Sequence, residues 1–313
     1  MKYKILITST SFKDTPGDHH KLLEKQNWTV DYLRGPLLQE ALLPIIGKYD
    51  GVICGDDQYS EEVLNTAKKG KLKGISKYGV GLDKIDLVHA KLLNIPVTNC
   101  PGVNKRSVAE HVFALLLSFK KNIHKEYIST SKGQWPRLVG SQISKANFGI
   151  LGLGNIGKEV AKIAKAFDCR ISFFDEFEDK VFTKKHCLKR VKSLEELFEN
   201  MDIISIHMNL NDYNYNIISK NLIKNHTRKN LVLVNTARGE LVDEGGIVYG
   251  LEKGILSGYL CDVLSKEPQE PDNRLHKHKN VIITSHISSK TFENVAKQGK
   301  MAINNLIDIF NSK

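Results

Sequence analysis

The sequence predicts an α/β protein made of two doubly wound parallel-sheet domains in series. Three observations carry that expectation. Short β-rich runs recur between helix-length amphipathic segments, the pattern of repeated βαβ units. The length of 313 residues corresponds to two domains at about 150 residues each. Near the middle of the chain, Gly152-Leu153-Gly154-Asn155-Ile156-Gly157 separates a strand-like run from a helix-like one.

The first series of strands is expected at 4–7, 29–33, 51–54, 74–77 and 96–98. The second is expected at 147–151, 170–174, 203–206, 231–235, 258–262 and 281–284. Asn99-Cys100-Pro101-Gly102 is a turn cluster closing the first series. Ser107-Val108-Ala109-Glu110 fits a capping box, in which the serine oxygen takes a free amide at a helix start. A final helix at about 291–310 is expected to return to the first domain. The expected division is 1–99 plus 290–313 for one domain and 100–289 for the other, with a cleft between them.

Composition excludes several classes. Apolar residues at 41% and charged residues at 26% rule out a disordered chain, a collagen-like repeat and a coiled coil. The formal charge is +11, from 46 Lys and Arg against 35 Asp and Glu. The lysines are interleaved with polar residues, so we read a solvated surface and expect no nucleic-acid partner. Cys54, Cys100, Cys169, Cys187 and Cys261 are scattered and odd in number, which suggests neither a disulfide framework nor a metal site. The longest apolar run, 112–117, is too short for a bilayer. The opening residues 1–7 run straight into a strand-like pattern with no apolar leader. A cytoplasmic location is expected.

The glycine motif has the surroundings of a dinucleotide site. Gly152 permits a tight turn, Gly154 lets backbone approach a pyrophosphate, and Gly157 allows close packing of helix on strand. The helix N-terminus at Asn155 and Ile156 offers free amides and a positive dipole end. The next strand ends in Asp175, 23 residues beyond Gly152, placed to accept hydrogen bonds from a ribose diol. Asp175-Glu176 would repel a 2′-phosphate, and no arginine stands beside them in the sequence. NAD is the expected cofactor.

Ligands in open parallel sheets sit outside the carboxyl ends of the strands. Three such ends carry chemistry. One runs into Asn235-Thr236-Ala237-Arg238-Gly239, one delivers Asp262 with Glu267 just beyond, and one delivers His286. Reduction of a 2-oxo acid by hydride needs a guanidinium to fork onto the carboxylate. It also needs a general acid for the forming alkoxide and a carboxylate to fix that acid's tautomer. Arg238, His286 and Glu267 supply those groups. Asp262 is placed to receive the nicotinamide amide, and His207 to line the cofactor.

With these residues in view, the chain resembles the NAD-dependent D-isomer-specific 2-hydroxyacid dehydrogenases, a family that includes phosphoglycerate dehydrogenases and glyoxylate/hydroxypyruvate reductases. Further matching stretches are Lys77-Tyr78-Gly79-Val80-Gly81-Leu82-Asp83 and Asn104 to His111. The resemblance implies a flavodoxin-like substrate-binding domain, a Rossmann NAD-binding domain and a homodimer. It implies Arg238, Glu267 and His286 as the catalytic set, with Tyr78, Gly79 and Val80 holding the substrate carboxylate through backbone amides. It also implies cofactor contacts by Val108, His207, Ala237 and Asp262.

Departures from the family pattern are Ser285 and Ser288-Ser289 around the histidine, with Ser288 available to the cofactor, and Gly245-Gly246 where a helix usually begins. Asp56-Asp57 stands where the phosphoglycerate enzymes tend to place an arginine, which disfavours a phosphorylated substrate. Trp135 is expected to pack. The alternative readings are phosphoglycerate dehydrogenase proper and a non-catalytic, NAD-sensing corepressor-like protein.

Overall fold

The computed structural model describes residues 2–312. The chain forms two compact units, Met1–Asn104 with Ser289–Lys313, and Lys105–Ser288.

In unit 1 the strands are β1 (Lys4–Ile7), β2 (Thr29–Tyr32), β3 (Gly51–Cys54), β4 (Gly74–Lys77) and β5 (Val97–Thr98). They pair in the order β2-β1-β3-β4-β5, all in parallel. The inner strands are short apolar runs because both of their faces are covered. One face packs Leu6, Val52 and Ile75 on Tyr59, Val63 and Leu64. The other packs Ile5, Ile7 and Ile53 on the long helix Phe292–Asn311 through Ile303, Leu306 and Phe310. That helix begins at a cap, the Thr291 hydroxyl accepting the Asn294 amide at 3.2 Å.

Unit 2 holds β6 (Asn147–Leu151), β7 (Arg170–Phe174), β8 (Lys189–Arg190), β9 (Ile203–Ile206), β10 (Leu231–Asn235), β11 (Leu256–Cys261) and β12 (Val281–Ile283). Their order is β12-β11-β10-β9-β6-β7-β8, again parallel throughout. The first crossovers run outward on one side of β6 and the later ones on the other. The switch point therefore lies between β6 and β9, where doubly wound sheets bind ligands.

Several local expectations are corrected. The two-residue edge strand β8 is additional. Ser107 is not a cap: its helix spans Lys105–Lys120, and the Ser107 hydroxyl donates to the Ser288 carbonyl at 2.6 Å. The helix usual at Gly245-Gly246 is retained as Glu244–Glu252, started by Asp243, whose carboxylate accepts the Gly246 amide at 3.1 Å. Trp135 does not pack in a core but is 76% exposed. Among the described residues no helix is long and apolar enough to cross a membrane.

Candidate active site

The carboxyl ends of β6 and β9 meet at the glycine turn. Leu151 pairs with Ile206, so Gly152 lies against His207; a Cβ on Gly152 would come within 2.7 Å of the His207 carbonyl, and its φ is +94°. Gly157 is equally constrained, since a Cβ there would come within 2.2 Å of the Gly152 carbonyl. Around Gly154, by contrast, a Cβ would meet nothing within 4 Å. Two glycines serve the fold and the middle one leaves an open cradle. The helix Asn155–Ala166 starts there with Gly154 and Asn155 exposed. Its first backbone bond runs from the Lys158 amide to the Gly154 carbonyl, so the amides before it stand outside the helical ladder.

The neighbouring strand ends complete the site. Asp175, just past β7, accepts the Leu153 amide at 2.5 Å and the Phe177 amide at 2.9 Å, which ties it to the glycine turn. His207 follows β9, with Nε2 2.8 Å from the Ser205 hydroxyl. Low-dielectric surroundings push its pKa down to about 3. The residue keeps partial solvent access and its ring is neutral. Two buried polar atoms at these ends, His207 Nδ1 and Thr236 Oγ1, have no hydrogen-bond partner. The open cradle, free helix amides, Asp175 and these orphaned atoms all fit a bound dinucleotide.

Further along the same edge, β10, β11 and β12 deliver the chemical groups. Asn235, fully buried, accepts the Ala237 amide at 3.0 Å and donates to the Arg238 carbonyl at 2.9 Å, fixing the turn that carries Arg238. The next residue, Gly239, lies so near the backbone of Leu264 that a Cβ would come within 1.9 Å of it. The Arg238 turn is thereby pressed against the loop that bears Glu267. Glu267 spans that loop, its Oε1 accepting the Leu264 amide at 3.0 Å. Its Oε2 lies 2.8 Å from His286 Nδ1. The imidazole and the carboxylate are each about one-third exposed, so the pair is open to a ligand.

A family model describing the D-isomer specific 2-hydroxyacid dehydrogenase NAD binding domain matches residues 113–288. A glyoxylate reductase of Thermofilum pendens is 33% identical over 283 residues, covering 88% of this chain and 82% of that protein. The chain belongs to the D-isomer specific 2-hydroxyacid dehydrogenase family. A D-3-phosphoglycerate dehydrogenase of Bacillus subtilis is 36% identical over 76% of this chain but only 46% of its own length. The solved structure of the TT0316 protein from Thermus thermophilus superposes with a TM-score of 0.88 at 30% identity, covering 99% of this chain and 97% of that one. This dehydrogenase is an oxidoreductase that interconverts 2-hydroxy and 2-oxo acids with a nicotinamide dinucleotide.

Within the dehydrogenase, Asp262 has a second task. It is fully buried, and its carboxylate accepts the Thr284 hydroxyl at 2.5 Å, the Ile287 amide at 2.9 Å and the Ser288 amide at 2.7 Å. Its backbone carbonyl takes the His286 amide at 2.8 Å. Asp262 therefore anchors the turn that presents His286. Ser288 is itself buried, with its amide on Asp262 and its carbonyl under Ser107. Val108 is buried beside them in the Lys105–Lys120 helix, and Ala237 keeps partial exposure.

Three features escaped the sequence. An arginine does stand beside Asp175-Glu176: β8 brings Arg190, which donates to both carbonyls at 2.7 and 3.0 Å and pairs with Glu178 at 3.7 Å. The amides of Tyr78, Gly79 and Val80 are not all available. Tyr78 donates to the Cys54 carbonyl at 2.8 Å and Gly79 to the Lys77 carbonyl at 3.0 Å, and the Tyr78 side chain is core. The Val80 amide is the one of the three with no protein acceptor among the described residues. Asp57 points inward, fully buried, accepting the Thr8 hydroxyl and the Leu37 amide.

Proposed function

We propose that the dehydrogenase uses NAD, that Arg238, Glu267 and His286 carry the reaction, and that its substrates are small 2-oxo acids such as glyoxylate or hydroxypyruvate. The observation that carries this reading is the His286–Glu267 pair held against the Arg238 turn on the edge of the glycine cradle. Arg238 binds the substrate carboxylate with its planar fork and polarises the carbonyl. In unit 1 the Val80 amide, with no protein acceptor among the described residues, is the donor we propose for a substrate carboxylate. Glu267 accepts the Nδ1 proton of His286, which leaves Nε2 to face the substrate oxygen. A nicotinamide held at the glycine cradle would supply the hydride for the substrate carbonyl carbon. His286 gives its proton to the alkoxide formed there and recovers one from solvent; the oxidation runs the same steps in reverse.

The NAD preference rests on Asp175, whose charge suits a free ribose diol. Arg190 is already engaged on backbone carbonyls and Glu178, which limits its use for a 2′-phosphate. A homodimer is part of the proposal. It is supported by the exposed apolar residues Tyr127, Ile128, Trp135 and Val139 on the helix Ile123–Thr130 and the loop after it. A cytoplasmic location fits five free cysteines.

The test is consumption of NADH and NADPH with glyoxylate, hydroxypyruvate, pyruvate and 3-phosphohydroxypyruvate. The expected result is turnover of the small acids with NADH, lost sharply in Arg238→Ala while NADH still binds. Preference for 3-phosphohydroxypyruvate would reinstate phosphoglycerate dehydrogenase. NADH binding without any turnover would favour the corepressor-like alternative.

A further inference from the structure

The carboxyl edge of the unit 1 sheet holds a cation that the reaction above does not use. Lys77 ends β4 immediately before Tyr78-Gly79-Val80, and its side chain is only 4% exposed. Its stem runs beneath the loop, with Cε 3.4 Å from where a Cβ on Gly79 would stand. Its ammonium donates to the Gly55 carbonyl and to Asp56 Oδ1, the latter at 2.5 Å. Asp56 follows β3, the strand next to β4, and keeps about half of its side chain exposed. A buried ammonium thus sits at a ligand-binding edge with its charge balanced by a carboxylate that faces solvent. Asp57, turned into the unit and bonded to Thr8 and Leu37, also feels the Lys77 charge, but Asp56 is the carboxylate that the ammonium contacts.

We propose that Asp56 is a resident counter-ion for Lys77. It fills the place that a second, distal anionic group of a substrate would need. The dehydrogenase is thereby directed to 2-oxo acids with a single negative charge. The inference rests on the reading that places the substrate carboxylate at the Val80 amide, three residues beyond Lys77. A monoanion such as glyoxylate places its one charged group at that amide. A phosphorylated 2-oxo acid brings further negative charge to the same edge, where Asp56 repels it and already holds the one buried ammonium described here. Removing the carboxylate would free Lys77 to make a charge-assisted bond to a phosphate.

Steady-state kinetics of the full chain, as wild type, Asp56→Asn, Asp56→Ser and Asp56→Asn with Lys77→Met, test this with glyoxylate and 3-phosphohydroxypyruvate. In both single variants the ratio of kcat/KM for the phosphorylated acid over glyoxylate should rise about tenfold or more, the gain of one new ionic contact. Adding Lys77→Met should abolish the gain. A second readout needs no turnover: inorganic phosphate should raise the melting temperature of the Asp56 variants and not that of the wild type. A ratio unchanged in both single variants, or a gain that survives Lys77→Met, overturns the proposal. Should the wild type reduce no 2-oxo acid, the proposed function falls, while the phosphate-dependent melting still decides whether Asp56 masks Lys77.

Discussion

His286 holds its backbone at φ +54°, in the left-handed region that a residue with a Cβ enters at a cost of about 1–3 kcal/mol. Asp262 supplies what keeps it there, through one bond from its carbonyl and three to its carboxylate. Replacing the proposed acid–base group, His286→Asn, should lower kcat by about 10²–10⁴-fold with NADH affinity retained, as read by fluorescence titration. Asp262→Ala leaves buried amides without an acceptor and should destabilise unit 2 by about 3 kcal/mol or more, seen as an earlier thermal transition. The placement of Arg238, Glu267 and His286 after strand ends could be read from the sequence because each follows a strand-like run of apolar residues. The anchoring role of Asp262 and the inward turn of Asp57 could not, since an acid after a strand looks the same whether it faces a ligand or folds back onto amides.

The glycine turn separates two duties usually read as one. Gly157→Ala places a methyl group against the Gly152 carbonyl and should cost about 1–3 kcal/mol of stability, with a lower melting temperature and weakened NADH binding together. Gly154→Ala meets no protein atom, so its melting temperature should hold while NADH affinity falls about tenfold or more. Equal loss of stability in both variants would contradict that division. The long strands and the helix after the turn were legible because their apolar periods are unbroken. β8 was not, since Lys189–Arg190 is two charged residues at a sheet edge, too short for any period. With β8 went Arg190 and its grip on the Asp175 loop. Ser107 misled for a related reason: serine three residues before glutamate suits a helix start and a helix interior alike, and only the approach of Ser288 decides.

For the molecule as a whole, two histidines contribute to the acid response. His19 is fully buried, with Nε2 2.8 Å from the Phe12 carbonyl. Burial is the main cause that lowers its pKa, as it is for His207. Both stay neutral in the fold, whereas the unfolded chain takes up protons near pH 6.5. Stability is therefore fully present above about pH 6.5 and should decline as the pH falls below it. Burial raises the carboxyl of Asp57, whose protonation works in the opposite sense. Comparing melting curves of the wild type and His19→Gln from neutral pH down to about pH 5 isolates the histidine share. The variant should show the shallower decline, and parallel curves would remove His19 from the account.

Unit 1 is drawn from two stretches of chain that flank unit 2. While the ribosome is still translating residues 105–288, the five-stranded sheet already exists as a sequence but lacks Ile303, Leu306 and Phe310 to cover Ile5, Ile7 and Ile53. Unit 2, encoded without interruption, meets no such delay. Order of synthesis and order of maturation are thus reversed in this chain: the half made first is the half finished last. Its bare sheet face is the surface a nascent-chain chaperone would have to guard.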